Sequence, residues 1–154
     1  MPTNRFSGRA PFPPPLVFAL AILLGWLLQR RLRISFVPTA FAPLLGGAVV
    51  VAGVVLAALS VREFRRFQTS LRPDRPSTAV VQTGPYRYSR NPMYVAMAAV
   101  QLGVAIWLNN LWVLLMLIPA IVTTSVIVAK EERYLDAHLG TAYTRYRASV
   151  RRWL

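Results

Sequence analysis

Residues 41 to 61 contain no charged side chain, and this run constrains the fold more than any other feature of the chain. Its 21 residues match the roughly 20 apolar residues (range about 17–25) that a helix needs to cross a bilayer. Three further apolar runs accompany it: about Leu16 to Leu28, Met93 to Leu108 and Leu111 to Ala129. The last is long enough to span outright. The first and third are shorter. They span if Pro13–Pro15 and Gln29 lie in the headgroup layer and if the third helix begins inside the polar segment before it. In lipid every backbone polar group must be satisfied within the segment, so such runs fold as helices. The expected fold is all-α: an integral membrane bundle of four transmembrane helices with a C-terminal interfacial helix, residues 1–154 forming a single membrane domain. The first run also has the basic flank and length of a signal peptide. It exits through Trp26-Leu27-Leu28-Gln29-Arg30, where no small-x-small cleavage site stands, so it is read as an uncleaved span.

The composition agrees with a bilayer as solvent. The chain is 55% hydrophobic and only 15% charged, against about 25% charged in soluble domains. Cysteine is absent and His138 is the one histidine, so disulfides, a thiolate nucleophile and Cys- or His-rich metal sites are excluded. The net charge of +13 invites a nucleic-acid reading, but the cations cluster at the ends of the apolar runs, where anionic headgroups would meet them. The expected partner is therefore the lipid bilayer and not nucleic acid. Seventeen of the eighteen cations are arginine, which fits a GC-rich bacterial genome, and the expected location is a bacterial inner membrane.

Orientation follows from the distribution of Arg and Lys. With the N-terminus inside, fifteen of the eighteen cations face the cytoplasm, and only Arg30, Arg31 and Arg33 face out. Four spans then leave both termini cytoplasmic. The chain divides into the first two spans (1–61), a cytoplasmic linker (62–92), a helical hairpin turning at Asn109-Asn110 (93–129) and a tail (130–154). In the tail, Tyr134, Leu135, Leu139, Tyr143, Tyr146 and Val150 recur at mostly helical spacing, and Gly140 divides it into two short helices. The basic, Trp-ended tail suits an interfacial helix covering the bundle.

Two polar segments interrupt this apolar pattern. One is Thr83-Gly84-Pro85-Tyr86-Arg87-Tyr88-Ser89-Arg90-Asn91-Pro92-Met93-Tyr94; the other is Lys130-Glu131-Glu132-Arg133-Tyr134. Paired carboxylates and an Arg/Tyr cluster at the mouth of a helix bundle point to a site at the membrane–water boundary. Gly84-Pro85-Tyr86 through Arg90-Asn91-Pro92-Met93-Tyr94 resembles the G-x-Y-x-x-x-R-H-P-x-Y signature of the isoprenylcysteine carboxyl methyltransferase and phospholipid methyltransferase superfamily. Glu131-Glu132-Arg133-Tyr134-Leu135, Gly140, Tyr143 and Tyr146 resemble its E-E-x-x-L…G-x-x-Y-x-x-Y ending. Val150-Arg151-Arg152-Trp153 is similar to the close of its bacterial members. The resemblance covers roughly residues 60–154.

The resemblance implies a methyltransferase that uses S-adenosylmethionine and acts on a lipid-like or small apolar acceptor entering from the bilayer. Carried over by position, Tyr86, Asn91, Pro92, Met93 and Tyr94 line the cofactor pocket, Thr78 through Val81 (Thr78, Val80 and Val81 among them) form its upstream wall, and Glu131 binds the cofactor's polar groups beside Glu132. Arg90, Asn91 and Tyr94 are the candidate catalytic residues. Asn91 stands where the family usually has His and cannot titrate, which removes a His general base. Ile127 stands near the Arg that holds the substrate carboxylate in eukaryotic prenylcysteine enzymes, which argues against that substrate.

The side chains themselves allow the chemistry. Methyl transfer is an in-line displacement at an activated sulfonium, so alignment and exclusion of water matter most, and positioning supplies up to about 7–11 kcal/mol of such a barrier. Tyr86 and Tyr94 offer ring faces to a sulfonium, while Tyr88 suits an interfacial aromatic belt. Arg90 offers a bidentate fork to a carboxylate or phosphate, or else serves the positive-inside pattern alone. Glu131 and Glu132 end the fourth apolar run, where carboxylates oppose the helix dipole; either a binding role offsets this or they are a solvated helix end paired with Lys130, Arg133 or Arg90. Pro92 shapes the start of the third helix, and Pro119 kinks the fourth. His138 is read as a surface residue. Two other classes compete: an NADPH-dependent membrane reductase of the sterol type, which shares a similar R-H-P-x-Y segment but is usually longer, and a non-enzymatic membrane scaffold.

Overall fold

A computed structural model describes residues 13–67 and 81–154. Among these, the regular structure is helical throughout: α1 (Pro14–Arg31), α2 (Ala42–Arg66), α3 (Pro92–Trp107), α4 (Leu111–Leu115), α5 (Leu117–Leu139) and α6 (Thr141–Ser149), with one 3-10 turn at Gly84–Arg87. Thr78 and Val80 lie outside the described residues. α1, α2 and α3 each carry Pro in their first two positions, where the missing N–H is one of the unpaired donors in any case.

Two helical stretches are long and apolar enough to cross a membrane, Ala42–Arg66 and Leu111–Leu139. Only 17% and 28% of their most apolar windows are buried, so their aliphatic side chains face outward. That is the arrangement of a helix bathed in lipid, and the opposite of a core helix in a water-soluble protein. α3 is apolar but has 16 residues, below the usual spanning length.

Glycine brings the helices together. A Cβ on Gly46 would sit 2.3 Å from the Trp107 nitrogen, and one on Gly103 2.6 Å from the Val50 nitrogen. Gly53 faces Ala96 and Val100, so α2 runs antiparallel to α3 with the backbones in close approach. Gly25 of α1 meets the Val113 backbone in the same way. Where lipid removes the hydrophobic drive for association, small residues and van der Waals contact supply it.

The hairpin turn falls at Asn109-Asn110, as the sequence leads one to expect. Asn109 adopts a φ of 46°, a conformation Asn tolerates well among non-glycine residues. Its side-chain oxygen accepts from the Phe36 and Val37 N–H groups, and its amide donates to the Val37 carbonyl at 2.7 Å. Asn110 caps α4 by accepting from the Val113 N–H at 3.0 Å.

The end of the bundle differs from expectation. The fourth apolar run is broken at Met116, into α4 and α5. Pro119 explains the break: it lacks the N–H that would reach residue 115, and its ring crowds that carbonyl. No break follows Ala129. α5 continues to Leu139, because Ala129 to Leu135 is rich in good helix formers and the next breaker is Gly140. Gly140, with a φ of 53°, then separates α5 from α6. What the periodicity divides into two short tail helices is therefore an extension of α5 plus α6. Glu131 and Glu132 lie two turns inside α5, where the dipole effect expected at a helix end has faded.

Candidate functional site

The polar segment before α3 folds against the far end of α2. Glu63, on the last turn of α2, is 2% exposed. It accepts a 2.5 Å hydrogen bond from the Thr83 hydroxyl and a 3.3 Å one from Arg66. Gly84 turns over it with a φ of 58°, and a Cβ there would lie 2.8 Å from the Glu63 Cγ. Glycine is required here on both counts. The following 3-10 turn drops Tyr86 into the interior, 6% exposed, with its ring edge-on to Phe64 at 5.1 Å.

The chain's last residues close the other side. The Arg90 N–H donates to the Arg151 carbonyl at 2.9 Å, and the Asn91 amide to the Arg152 carbonyl at 3.1 Å. Trp153 meets the Tyr94 ring edge-on at 6.5 Å. The Tyr146 hydroxyl of α6 donates to the Tyr86 carbonyl at 2.8 Å. Asn91 thus spends its amide donor on the C-terminal segment.

The two carboxylates of the acidic pair point to different partners. The Tyr94 hydroxyl lies 3.0 Å from both oxygens of Glu131, so one proton is shared between them. Glu132 is 5% exposed. It holds Arg152 at 2.7 Å and Arg90 at 3.3 Å. The pairing of the acidic pair with Arg90 is realised by Glu132 alone, and in a buried rather than a solvated setting.

Two adjoining cavities lie between these groups. The larger, about 340 Å³, is lined by Pro13–Pro15, Phe64, Tyr86, Arg90, Asn91, Met93, Tyr94, Met97, Glu131 and Leu135. This falls within the roughly 300–1,000 Å³ typical of small-molecule sites. The smaller, about 80 Å³, reaches past Val81, Arg90 and Glu132 to Tyr143 and Tyr146. The structure therefore gathers Val81, Tyr86, Arg90, Asn91, Met93, Tyr94, Glu131 and Glu132 around one connected space. Pro92 is buried in the first turn of α3 instead and shapes the start of that helix. Tyr88 is 74% exposed, and His138 is an exposed residue stacked on Tyr134.

Burial acts on the tyrosine wall. It pushes the Tyr143 phenol up to about 12, reinforced by Glu132 and opposed by Arg90. It also raises Tyr86, helped by its neighbour Tyr146, and raises Tyr146, helped by Tyr143. All three stay protonated at neutral pH, and the Tyr146 hydroxyl donates to the Tyr86 carbonyl.

Sequence reasoning overlooked Glu63, Phe64 and Arg152 as members of this region. Glu63 reads as one acid among the basic residues at a helix end, and nothing local shows that Thr83 and Gly84 fold onto it. Arg152 had a signal, the similarity of the Val150–Trp153 close to that of bacterial family members.

Comparison with known proteins places the chain in a family. The family model for phospholipid methyltransferases matches residues 41–142. A protein of Haemophilus influenzae described as uncharacterized is 38% identical over 63 residues, which is all of that protein and 40% of this chain.

Proposed function

The chain belongs to the phospholipid methyltransferase family, and from that we propose that it transfers a methyl group from S-adenosylmethionine to a lipid-like or small apolar acceptor at the membrane–cytoplasm interface. The observation that carries this reading is the cavity of about 340 Å³ in which Tyr86, Arg90, Tyr94 and Glu131 converge beside Met93 and Met97. Its donor set fits the cofactor. Arg90 is cationic for a carboxylate, Glu131 accepts from ribose hydroxyls or an amino group, and the aromatic rings suit a sulfonium. When bound, S-adenosylmethionine supplies an activated methyl group, so no metal is called for.

The residues around the cavity orient and exclude. Tyr94 holds the Glu131 carboxylate in place, and the C-terminal segment closes over Arg90 and Asn91, limiting water. Asn91 supports that closure and does not serve as a base. On this reading α1, α2, α3 and the α4–α5 pair form four spans, with α3 completed by the motif before it. The termini lie on the cytoplasmic side of a bacterial inner membrane, and α6 rests in the interface. The acceptor reaches the cavity along the apolar faces of the spans.

Titrating detergent-purified protein with S-adenosylhomocysteine and, separately, with NADPH tests the assignment. Saturable binding of S-adenosylhomocysteine that weakens by tenfold or more in Glu131→Ala, on the order of one charge-assisted hydrogen bond, is the expected result. Binding of NADPH alone would move the protein to the reductases, and binding of neither would leave a scaffold.

A further inference from the structure

Arg90 is a buried cation with more hydrogen-bonding capacity than its surroundings use. Its side chain is 9% exposed. One nitrogen, Nη2, lies 3.3 Å from Glu132, while Nε and Nη1 are buried and find no hydrogen-bond partner among the described residues. A guanidinium carries five N–H donors in a fixed fork, and leaving such donors dry is costly.

The charge is also unbalanced. Glu132 is shared by Arg90 and Arg152, and it gives Arg152 the shorter contact. Arg152 is 41% exposed and solvated in part; Arg90 is not. Glu131 does not make up the deficit, since its oxygens face the Tyr94 hydroxyl and no ion pair within 4 Å joins it to Arg90 among the described residues. Ile127, at the position near which prenylcysteine enzymes carry an Arg, is buried and apolar. Arg90 lines both cavities, and Tyr143 and Tyr146 line the smaller one with it.

We infer that Arg90 forms an oxyanion subsite, in which the guanidinium edge left without partners binds a carboxylate or phosphate group presented from the cavity. Nη2 pairs with Nε on one edge of the guanidinium and with Nη1 on the other, and either edge is spaced for bidentate recognition of such a group; Nη2 meets Glu132 at 3.3 Å as an ion pair without a hydrogen bond, so it is free to complete the fork. The anion completes the charge that the divided Glu132 leaves over. Two sources offer this chemistry: the carboxylate of the cofactor's amino-acid end, and an anionic headgroup on the acceptor. The first rests on the methyltransferase reading; the second does not.

The test compares two pairs of probes on the full-length protein by calorimetric titration. S-adenosylhomocysteine is set against 5′-methylthioadenosine, which lacks the amino-acid end, and dodecyl phosphate against dodecanol. The wild type binds the carboxylate- or phosphate-bearing member of at least one pair about 10- to 100-fold more tightly, as charge-assisted hydrogen bonds imply. Arg90→Gln removes that preference while leaving the neutral member unchanged, and Arg90→Lys, which keeps the charge without the fork, restores only part of it. Preference within the first pair assigns the cofactor carboxylate. Preference within the second assigns an acceptor headgroup, and it stands even if neither nucleoside binds, in which case the methyltransferase reading fails alone. Equal affinity within both pairs in the wild type overturns the inference without reference to any variant, as does a preference that survives Arg90→Gln.

Discussion

The two ends of this bundle both hold polar side chains and use them in opposite ways. At the α3–α4 turn the side chains of Asn109, Asn110 and Trp112 are consumed. Asn109 ties down residues 36 and 37 through three hydrogen bonds, Asn110 caps a helix, and the Trp112 indole donates to the Leu32 carbonyl at 2.7 Å. At the α3 start and mid-α5 they are held in reserve. Arg90 keeps two donor nitrogens without partners among the described residues, and Glu131 and Tyr94 face a cavity. Polarity at a membrane boundary does not by itself mark a site. What separates the two ends is how completely the polar groups are satisfied.

This contrast can be broken most forcefully at Glu132. Removing one partner of a buried ion pair leaves the other charge uncompensated, at about 3–5 kcal/mol, so Glu132→Ala is expected to lower stability by that order and, by removing the carboxylate that competes for Arg90, to tighten anion binding there. Thermal denaturation in detergent together with the probe titrations reads both. A change in neither would mean that Arg90 is solvated in solution.

Asn109→Ala should act on the other end alone. Three side-chain hydrogen bonds at about 1 kcal/mol each set an expected loss of roughly 2–3 kcal/mol in stability, with S-adenosylhomocysteine affinity within about twofold of wild type. A large affinity loss at unchanged stability would mean that the ends are coupled.

The smallest effect sharpens the site end. Burial holds the folded Tyr143 phenol at about 12, against an ordinary value of about 10. Between those values the folded state retains a proton that the unfolded state releases. Its contribution to stability is whole below about pH 10 and declines as pH rises toward 12. Tyr143→Phe should flatten the alkaline part of a melting-temperature profile from pH 9 to 11. An unchanged slope would place that ring in solvent.

The sequence was most legible where physics is local. Charge-free apolar runs have one outcome in lipid, and Pro at helix starts, Gly140 and the Asn109-Asn110 turn each mark a boundary by their own chemistry. The site residues that line the cavities were recognisable from two separated polar motifs and their resemblance to a family. What stayed hidden depended on distant partners. Glu63 gains its role only when Gly84 folds over it, and the division of Glu131 and Glu132 between Tyr94 and the two arginines depends on where the C-terminal segment returns. The continuation of α5 past Ala129 was missed for a different reason: the membrane sets where apolar residues end, but not where a helix does.

The most direct test of the account is transfer of isotopically labelled methyl from S-adenosylmethionine into a bacterial lipid extract by protein reconstituted in vesicles, run in parallel on the wild type, Glu131→Ala and Asn109→Ala. The account predicts label in the apolar fraction with wild type and Asn109→Ala, and loss of roughly tenfold or more with Glu131→Ala, about 1.4 kcal/mol of transition-state stabilisation or more. Equal labelling by Glu131→Ala and wild type would contradict it.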